Sequence, residues 1–154
     1  TLQFARVARH VIAADLDPSR LAIARHNAAV YQVADEVDFV CGDFMATCAP
    51  PMWADVAFLS PPWGGPRYLN ADCYDLAWLE PVDGFELLRR ARAVAPNVAM
   101  FLPRNCDLEQ VAALAGGEHC EVELNFLNWK LKALTLYFGP LFEAQVTKCK
   151  GLKE

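Results

Sequence analysis

Apolar and polar positions along this chain switch repeatedly between a helical spacing and short continuous runs. Residues 2–9 carry Leu2, Phe4, Ala5 and Ala8 at mixed helical spacing and predict a short helix. Residues 11–14 are uninterruptedly apolar, as a strand buried on both faces requires, and end at Asp15 and Asp17. Asp17 and Pro18 then stand in N-cap and first-turn order before a helix whose apolar face is Leu21, Ile23, Ala24, Ala28 and Tyr31. A second strand is apolar at 37, 39, 40 and 41 and is closed by Gly42 and Asp43. After a short helix at "FMATC", a third strand runs from about Asp55 to Leu59. "DGFELLRRARAVA" is a helix stopped by Pro96 and Asn97, and "NVAMFLP" is a strand. "DLEQVAALAG" is a helix capped by Asp107 and ended by Gly116 and Gly117. The run from Cys120 to Gly139 holds two strands rich in Val, Leu, Phe and Thr, with a turn near Asn128–Lys130, and predicts an antiparallel hairpin.

Helices alternating with strands in this order predict an α/β, doubly wound, Rossmann-like sheet, mostly parallel with a C-terminal antiparallel hairpin. One domain over residues 1–142 and a mildly basic tail over 143–154 are expected. The connection from Ser60 to Pro81 is long for a compact domain, and such loops usually carry function.

Composition narrows the picture. The 154 residues are 55% apolar, enough for a core, and the formal net charge is −5. An acidic chain exerts no general pull on nucleic acid, so any RNA contact must be local and directional. Cysteines 41, 48, 73, 106, 120 and 149 form no C-x-x-C pair, and no cysteine or histidine group has zinc-ligand spacing, so no metal is expected. Cys41 reads as a core residue, and His10, His26 and His119 as surface or element-end residues. A reducing setting, nuclear or also cytoplasmic, is the simple inference. No run is long enough to span a bilayer, so no membrane association is expected, and the chain is expected to act as a monomer. It does not begin with Met, and "TLQFARVARHV" reads like the inside of a longer sequence.

In open α/β sheets, ligands bind beyond the carboxyl ends of the strands. Those ends carry Asp15, Asp43, "SPPW" at 60–63 and Arg104–Asn105. A carboxylate at Asp15 can accept two ribose hydroxyls, whereas Asp17 suits a helix cap. Asp43 suits an adenine amino group and an N-cap equally well. Pro61 and Pro62 fix their φ angles and donate nothing, so their carbonyls are expected to be rigid free acceptors. Trp63 sets a flat face beside them, and Gly64 and Gly65 let the backbone bend away. That combination suits a flat base bearing an exocyclic amine.

"VIAADLDPSRLAIARHNAAVY", "VDFVCGDF", "DVAFLSPPWGGPRYL", "FLPRN" and "NFLNWKLKALTLYFG" together resemble the trimethylguanosine synthase family of RNA cap guanine-N2 methyltransferases. The likeness runs from about Leu2 to Leu141. It implies a class I fold using S-adenosylmethionine to methylate the exocyclic amine of a 7-methylguanosine cap, with small nuclear and nucleolar RNAs as substrates in the nucleus. It implies that Asp15 holds the donor's ribose and Asp43 its adenine amino group. Ser60 and the Pro61 carbonyl, with Pro62 beside them, would face the guanine amine. Trp63 would stack on the methylated base, and Arg104, with Asn105 next to it, would meet the cap phosphates. Capped RNA is the expected partner, and protein partners could deliver it.

The resemblance implies a first strand, a glycine-rich loop and an upstream helical segment, which are expected ahead of Thr1 and outside this sequence. The 154-residue chain alone is therefore expected to bind S-adenosylmethionine poorly or not at all, and to pack badly where that strand belongs. Arg67 is expected to be a solvated loop residue, with a phosphate contact as the other option. Three further readings stay open: a catalytically inactive fragment that binds caps or a protein partner, an amino methyltransferase acting on another nucleic-acid base, and a generic Rossmann-like domain in which Trp63 packs internally.

Overall fold

A computed structural model of the chain describes residues 1–47 and 49–142, with the backbone alone at Arg67, Leu69 and Asn70. Cys48, the Arg67 side chain and the expected tail at 143–154 lie outside the described residues. The chain divides into two compact units, Thr1–Ala49 and Pro50–Glu154.

The first unit runs α1 (Leu2–Ala5), β1 (Val11–Asp15), α2 (Pro18–Val30), a 3₁₀ turn (Ala34–Glu36), β2 (Val37–Cys41) and α3 (Phe44–Thr47). α2 starts where the sequence places it. Asp17 accepts from the Ser19 and Arg20 amides at 2.8 and 3.4 Å, and Pro18 occupies the first turn, where no amide hydrogen is needed. β1 and β2 pair in parallel from Val11 against Val37 to Asp15 against Cys41. Ala5, Ala28, Val33 and Val37 form the core, with Leu2, Val11, Ala13 and Phe39 packed on it.

Several sequence expectations are corrected here. α1 ends at Ala5 rather than running to residue 9, because the chain tightens into a turn with Val7 N–H on the Phe4 carbonyl. β1 is not buried on both faces, since Ile12 is 47% exposed. A two-stranded sheet with one long helix covers a single face within this unit. For the same reason Ile23 of α2 and Tyr31 at its C-terminal cap are exposed, and Cys41, at the open end of β2, is exposed rather than core.

The second unit runs β3 (Val56–Leu59), 3₁₀ turns at Gly65–Asn70 and Leu76–Trp78, α4 (Gly84–Arg92), β4 (Asn97–Pro103), α5 (Leu108–Ala115), β5 (Cys120–Leu127) and β6 (Lys130–Phe138). Its sheet order is β3-β4-β6-β5. β3 and β4 are parallel, and β6 alone runs against its neighbours, inserted between β4 and β5. The mostly parallel α/β sheet with an antiparallel hairpin is thus present as expected, although its strands lie in two separate hydrogen-bonded sets.

β4 is enclosed on both faces: Val98, Met100 and Leu102 are fully buried on one, and Ala99 and Pro103 are buried on the other. α4 shows why its sequence is helical. Asp83 caps it, Leu87, Leu88 and Ala91 face inward, and Glu86 pairs with Arg89 on the outside. Gly139 closes β6 at φ +108°, where a Cβ would lie 2.3 Å from the Pro96 carbonyl oxygen, so only glycine fits.

The long connection after β3 is built rather than loose. Tyr74 bridges to Cys106, giving its amide to the Asn105 carbonyl at 2.7 Å and accepting from the Asp107 amide at 3.1 Å. The Gln110 side chain accepts from the Leu76 amide at 2.8 Å and donates to Asp75 at 3.0 Å.

Candidate active site

Two clusters of the expected residues form, one at the strand ends of each unit. In the first unit, the parallel register sets Asp15 beside Cys41, and the Gly42 amide donates to the Asp15 carbonyl at 3.1 Å. Asp15 and Asp43 therefore leave the same edge of the sheet. Asp15 is half-buried. Its Oδ1 accepts from the Asp17 amide at 2.8 Å, while its Oδ2 takes no hydrogen bond among the described residues. A cavity of about 190 Å³ opens beside it, lined by Ala13, Ala14, Asp15, Arg20, Leu21 and Phe39 among others. Asp43 has the helix-end role weighed from the sequence: its Oδ1 accepts from the Met45 amide at 2.9 Å. Its second oxygen is likewise unused.

In the second unit, β3 delivers Ser60 to the rim of the sheet, exposed. The Pro61 carbonyl takes no hydrogen bond among the described residues. Pro62 differs from the expectation: its carbonyl accepts from the Glu80 amide at 3.3 Å, because the connection folds back across the motif. Of the two proline carbonyls, Pro61's is the one left for a guest. Gly64 and Gly65 bend the chain away at φ +76° and +71°, as their type allows.

Trp63 is half-buried and fixed on three sides. Its Nε1–H donates to the Phe101 carbonyl at 3.3 Å. The Phe101 ring leans on it at 5.4 Å and 33°, and Tyr68 meets it edge-on at 5.1 Å and 84°. The indole is thus held at the end of β4 and is not sealed away. Arg104, three residues beyond Phe101, is exposed and has no ion pair among the described residues. Asn105 is occupied internally. Its Nδ2 donates to the Tyr68 and Ala71 carbonyls at 3.0 and 2.7 Å, and its Oδ1 is buried without a partner.

Tyr68, Phe101 and Gln110 were not singled out as site residues from the sequence. A signal existed for one: Tyr68 lies in the 3₁₀ turn directly after the S-P-P-W-G-G string. Phe101 and Gln110 offered none, since an aromatic in a buried strand and a glutamine in a helix are ordinary. Nearby burial is deep. Tyr74 is fully enclosed with its hydroxyl unpartnered, and burial pushes it up to about 12. Burial pushes the Cys106 thiol up to about 12 as well.

The architecture recurs among methyltransferases of known structure. A human methyltransferase 10 domain containing protein superimposes with a TM-score of 0.58 at 13% identity, over 84% of this chain and 60% of its own. An rRNA methylase from Streptococcus thermophilus gives 0.53 at 12% identity, over 90% of this chain and 77% of its own. The fold is that of a class I methyltransferase.

Sequence narrows the class further. Residues 1–141 match the RNA cap guanine-N2 methyltransferase family. The trimethylguanosine synthase of Schizosaccharomyces pombe is 36% identical over 145 residues, which span 90% of this chain and 60% of that protein. The trimethylguanosine synthase of Saccharomyces cerevisiae is 36% identical over 152 residues, which span 92% of this chain and 48% of that protein. The chain belongs to the RNA cap guanine-N2 methyltransferase family, and it spans about half to three-fifths of the length of these relatives.

Proposed function

We propose that the protein to which this chain belongs transfers methyl groups from S-adenosylmethionine to the exocyclic N2 of a 7-methylguanosine RNA cap, forming the 2,2,7-trimethylguanosine cap. Small nuclear and nucleolar RNAs are the proposed substrates and the nucleus the site of action. The observation that carries the reading is the half-buried Trp63, braced by Phe101 and Tyr68 beside the free Pro61 carbonyl.

The donor supplies a methyl group already activated on a sulfonium. Asp15, with Oδ2 unused beside a cavity, suits the ribose hydroxyls, and the free oxygen of Asp43 suits an adenine amino group. Trp63 stacks on the base. A 7-methylguanine ring is cationic, so an indole face favours it over guanine by a cation–π contribution of up to about 2 kcal/mol when desolvated. The Pro61 carbonyl and the Ser60 hydroxyl accept the N2 hydrogens and point the nitrogen lone pair at the methyl group. As the N–C bond formed and the donor's S–C bond broke, the amine would gain the positive charge the sulfonium loses, and the fixed Pro61 carbonyl dipole would stabilise it. Alignment of nucleophile and methyl group supplies much of the acceleration, so no strong base is needed before the proton departs to water. Arg104 meets the cap phosphates.

The test is to incubate the full-length protein with S-adenosylmethionine and either 7-methyl-GpppG, GpppG or an adenine-rich oligonucleotide, reading methyl uptake by mass. Uptake of one or two methyl groups by the 7-methyl cap alone is expected. Uptake by adenine, or none by any cap, would overturn the proposal.

A further inference from the structure

The β5–β6 hairpin turns through Asn128 and Trp129, with φ of 51° and 61°, the pattern of a two-residue type I′ turn. Glycine meets the second of these positions without steric cost, yet an indole stands there, 98% exposed. It packs against no other ring among the described residues. Lys130 and Lys132 follow, both exposed and without an ion pair among the described residues. The β4–β6 register ends at Pro103 against Ala133, so Arg104 and Lys132 are each the next residue beyond the last pair. Trp63 leans on Phe101 of the same strand end. One rim of the four-stranded sheet therefore carries Trp63, Arg104, Lys132, Lys130 and Trp129 in succession. At roughly 3.3 Å per strand residue, Trp129 stands about 13 Å along β6 from Ala133. The hairpin's carboxylates lie toward its other end, with Glu123 opposite Thr135 and Glu121 opposite Tyr137.

We propose that Trp129 is a stacking platform for an unpaired base of the RNA just downstream of the cap, with Lys130 and Lys132 against the phosphates leading to it. This rests on the cap reading above. Aromatic plates interleaved with cations along a rim hold single-stranded RNA without regard to sequence. The chain's net charge of −5 supplies no general attraction, so contact beyond the cap requires such a local row. Trp129 sits at a position where its side chain strains the backbone, and among the described residues it packs on nothing of its own unit. A role in its own fold does not account for it.

The experiment measures binding of 7-methyl-GTP and of a capped, unstructured decanucleotide to the full-length protein. The decanucleotide is expected to bind at least about fivefold more tightly, as one stacked base confers. Trp129→Gly, which suits the turn and so preserves folding, is expected to abolish that gain and leave 7-methyl-GTP binding unchanged. Trp129→Tyr is expected to retain it, and Lys130→Gln to lower the salt slope for the decanucleotide by about one. Equal affinity of the unaltered protein for both ligands, or an undiminished gain in Trp129→Gly, would overturn the proposal. An exposed tryptophan beside lysines also suits an anionic membrane. Should Trp129→Gly release the protein from phosphatidylserine vesicles while keeping the RNA gain, the residue belongs to a lipid contact instead. Failure of both cap ligands to bind would refute the cap reading itself and this proposal with it.

Discussion

Trp63 holds its position through three contacts that differ in kind: a hydrogen bond from Nε1 to the Phe101 carbonyl, a tilted ring contact with Phe101 and an edge contact with Tyr68. A phenyl ring in its place keeps a face but loses the hydrogen bond and the stronger quadrupole of indole. Trp63→Phe is therefore expected to narrow the preference for 7-methyl-GDP over GDP by up to about 2 kcal/mol, read as the ratio of the two affinities in a fluorescence or calorimetric titration. Trp63→Ala is expected to remove most binding of both. An unchanged ratio in the phenylalanine variant would show that the indole does not read the charge of the base. The neighbouring Asn105 illustrates how a residue adjacent to a motif acquires a different employment once the chain folds. Its amide holds the Tyr68 and Ala71 carbonyls, and through Tyr68 it steadies the indole.

Among the elements, α5 links two jobs. Asp107 caps it by accepting from the Glu109 and Gln110 amides at 2.8 and 3.4 Å, and the Gln110 side chain reaches from its first turn to Leu76 and Asp75. Asp107→Ala is expected to cost about 1 kcal/mol of stability in denaturant unfolding. It should also speed amide exchange at Leu76, whose N–H depends on Gln110. Loss of stability without that local change would mean that the cap and the loop are independent. At this scale most of the structure was legible in advance. Asp17–Pro18, Asp107 and Gly116 mark helix ends by short-range chemistry, and each acts where it was read. Burial was less legible. β1 and β4 are similar apolar runs, but β4 is buried on both faces whereas within its unit β1 is covered on one face only. The chain between β3 and α4 was legible only as a loop, because its two 3₁₀ turns are held by partners 34 to 37 residues away, Asn105 in the turn after β4 and Gln110 in α5.

Across the whole molecule, buried ionisable groups set the alkaline limit. Burial is the leading cause that raises Cys106 from 9.0, and Tyr74 and Tyr137 from 10.0, each to about 12. For Tyr137, the hydroxyl's bond to Glu123 adds to the effect. These groups hold their protons more tightly folded than unfolded. Their contribution is therefore fully present below pH 9 and is lost as pH rises from about 9 to about 12. Thermal stability is expected to fall across that window, and Tyr74→Phe to flatten the fall above pH 10. The same variant removes a buried hydroxyl that has no partner, so it is expected to raise stability at neutral pH by about 1 kcal/mol. A melting temperature that is flat from pH 9 to 12, or a less stable Tyr74→Phe at pH 7, would contradict this account.

What the amino-acid order determined by itself was local: where strands and helices start and stop, that prolines and glycines follow β3, and that acids, an indole and an arginine stand at strand ends. Those features depend on neighbours within a few residues, and backbone sterics and capping hydrogen bonds act at that range. The tertiary structure alone decided that Pro62's carbonyl is taken by Glu80, that Phe101 and Tyr68 brace Trp63, and that Arg104 and Lys132 share one rim. Each of those depends on which distant strand becomes a neighbour. That choice is set by the packing of a whole sheet and not by any short stretch of chain.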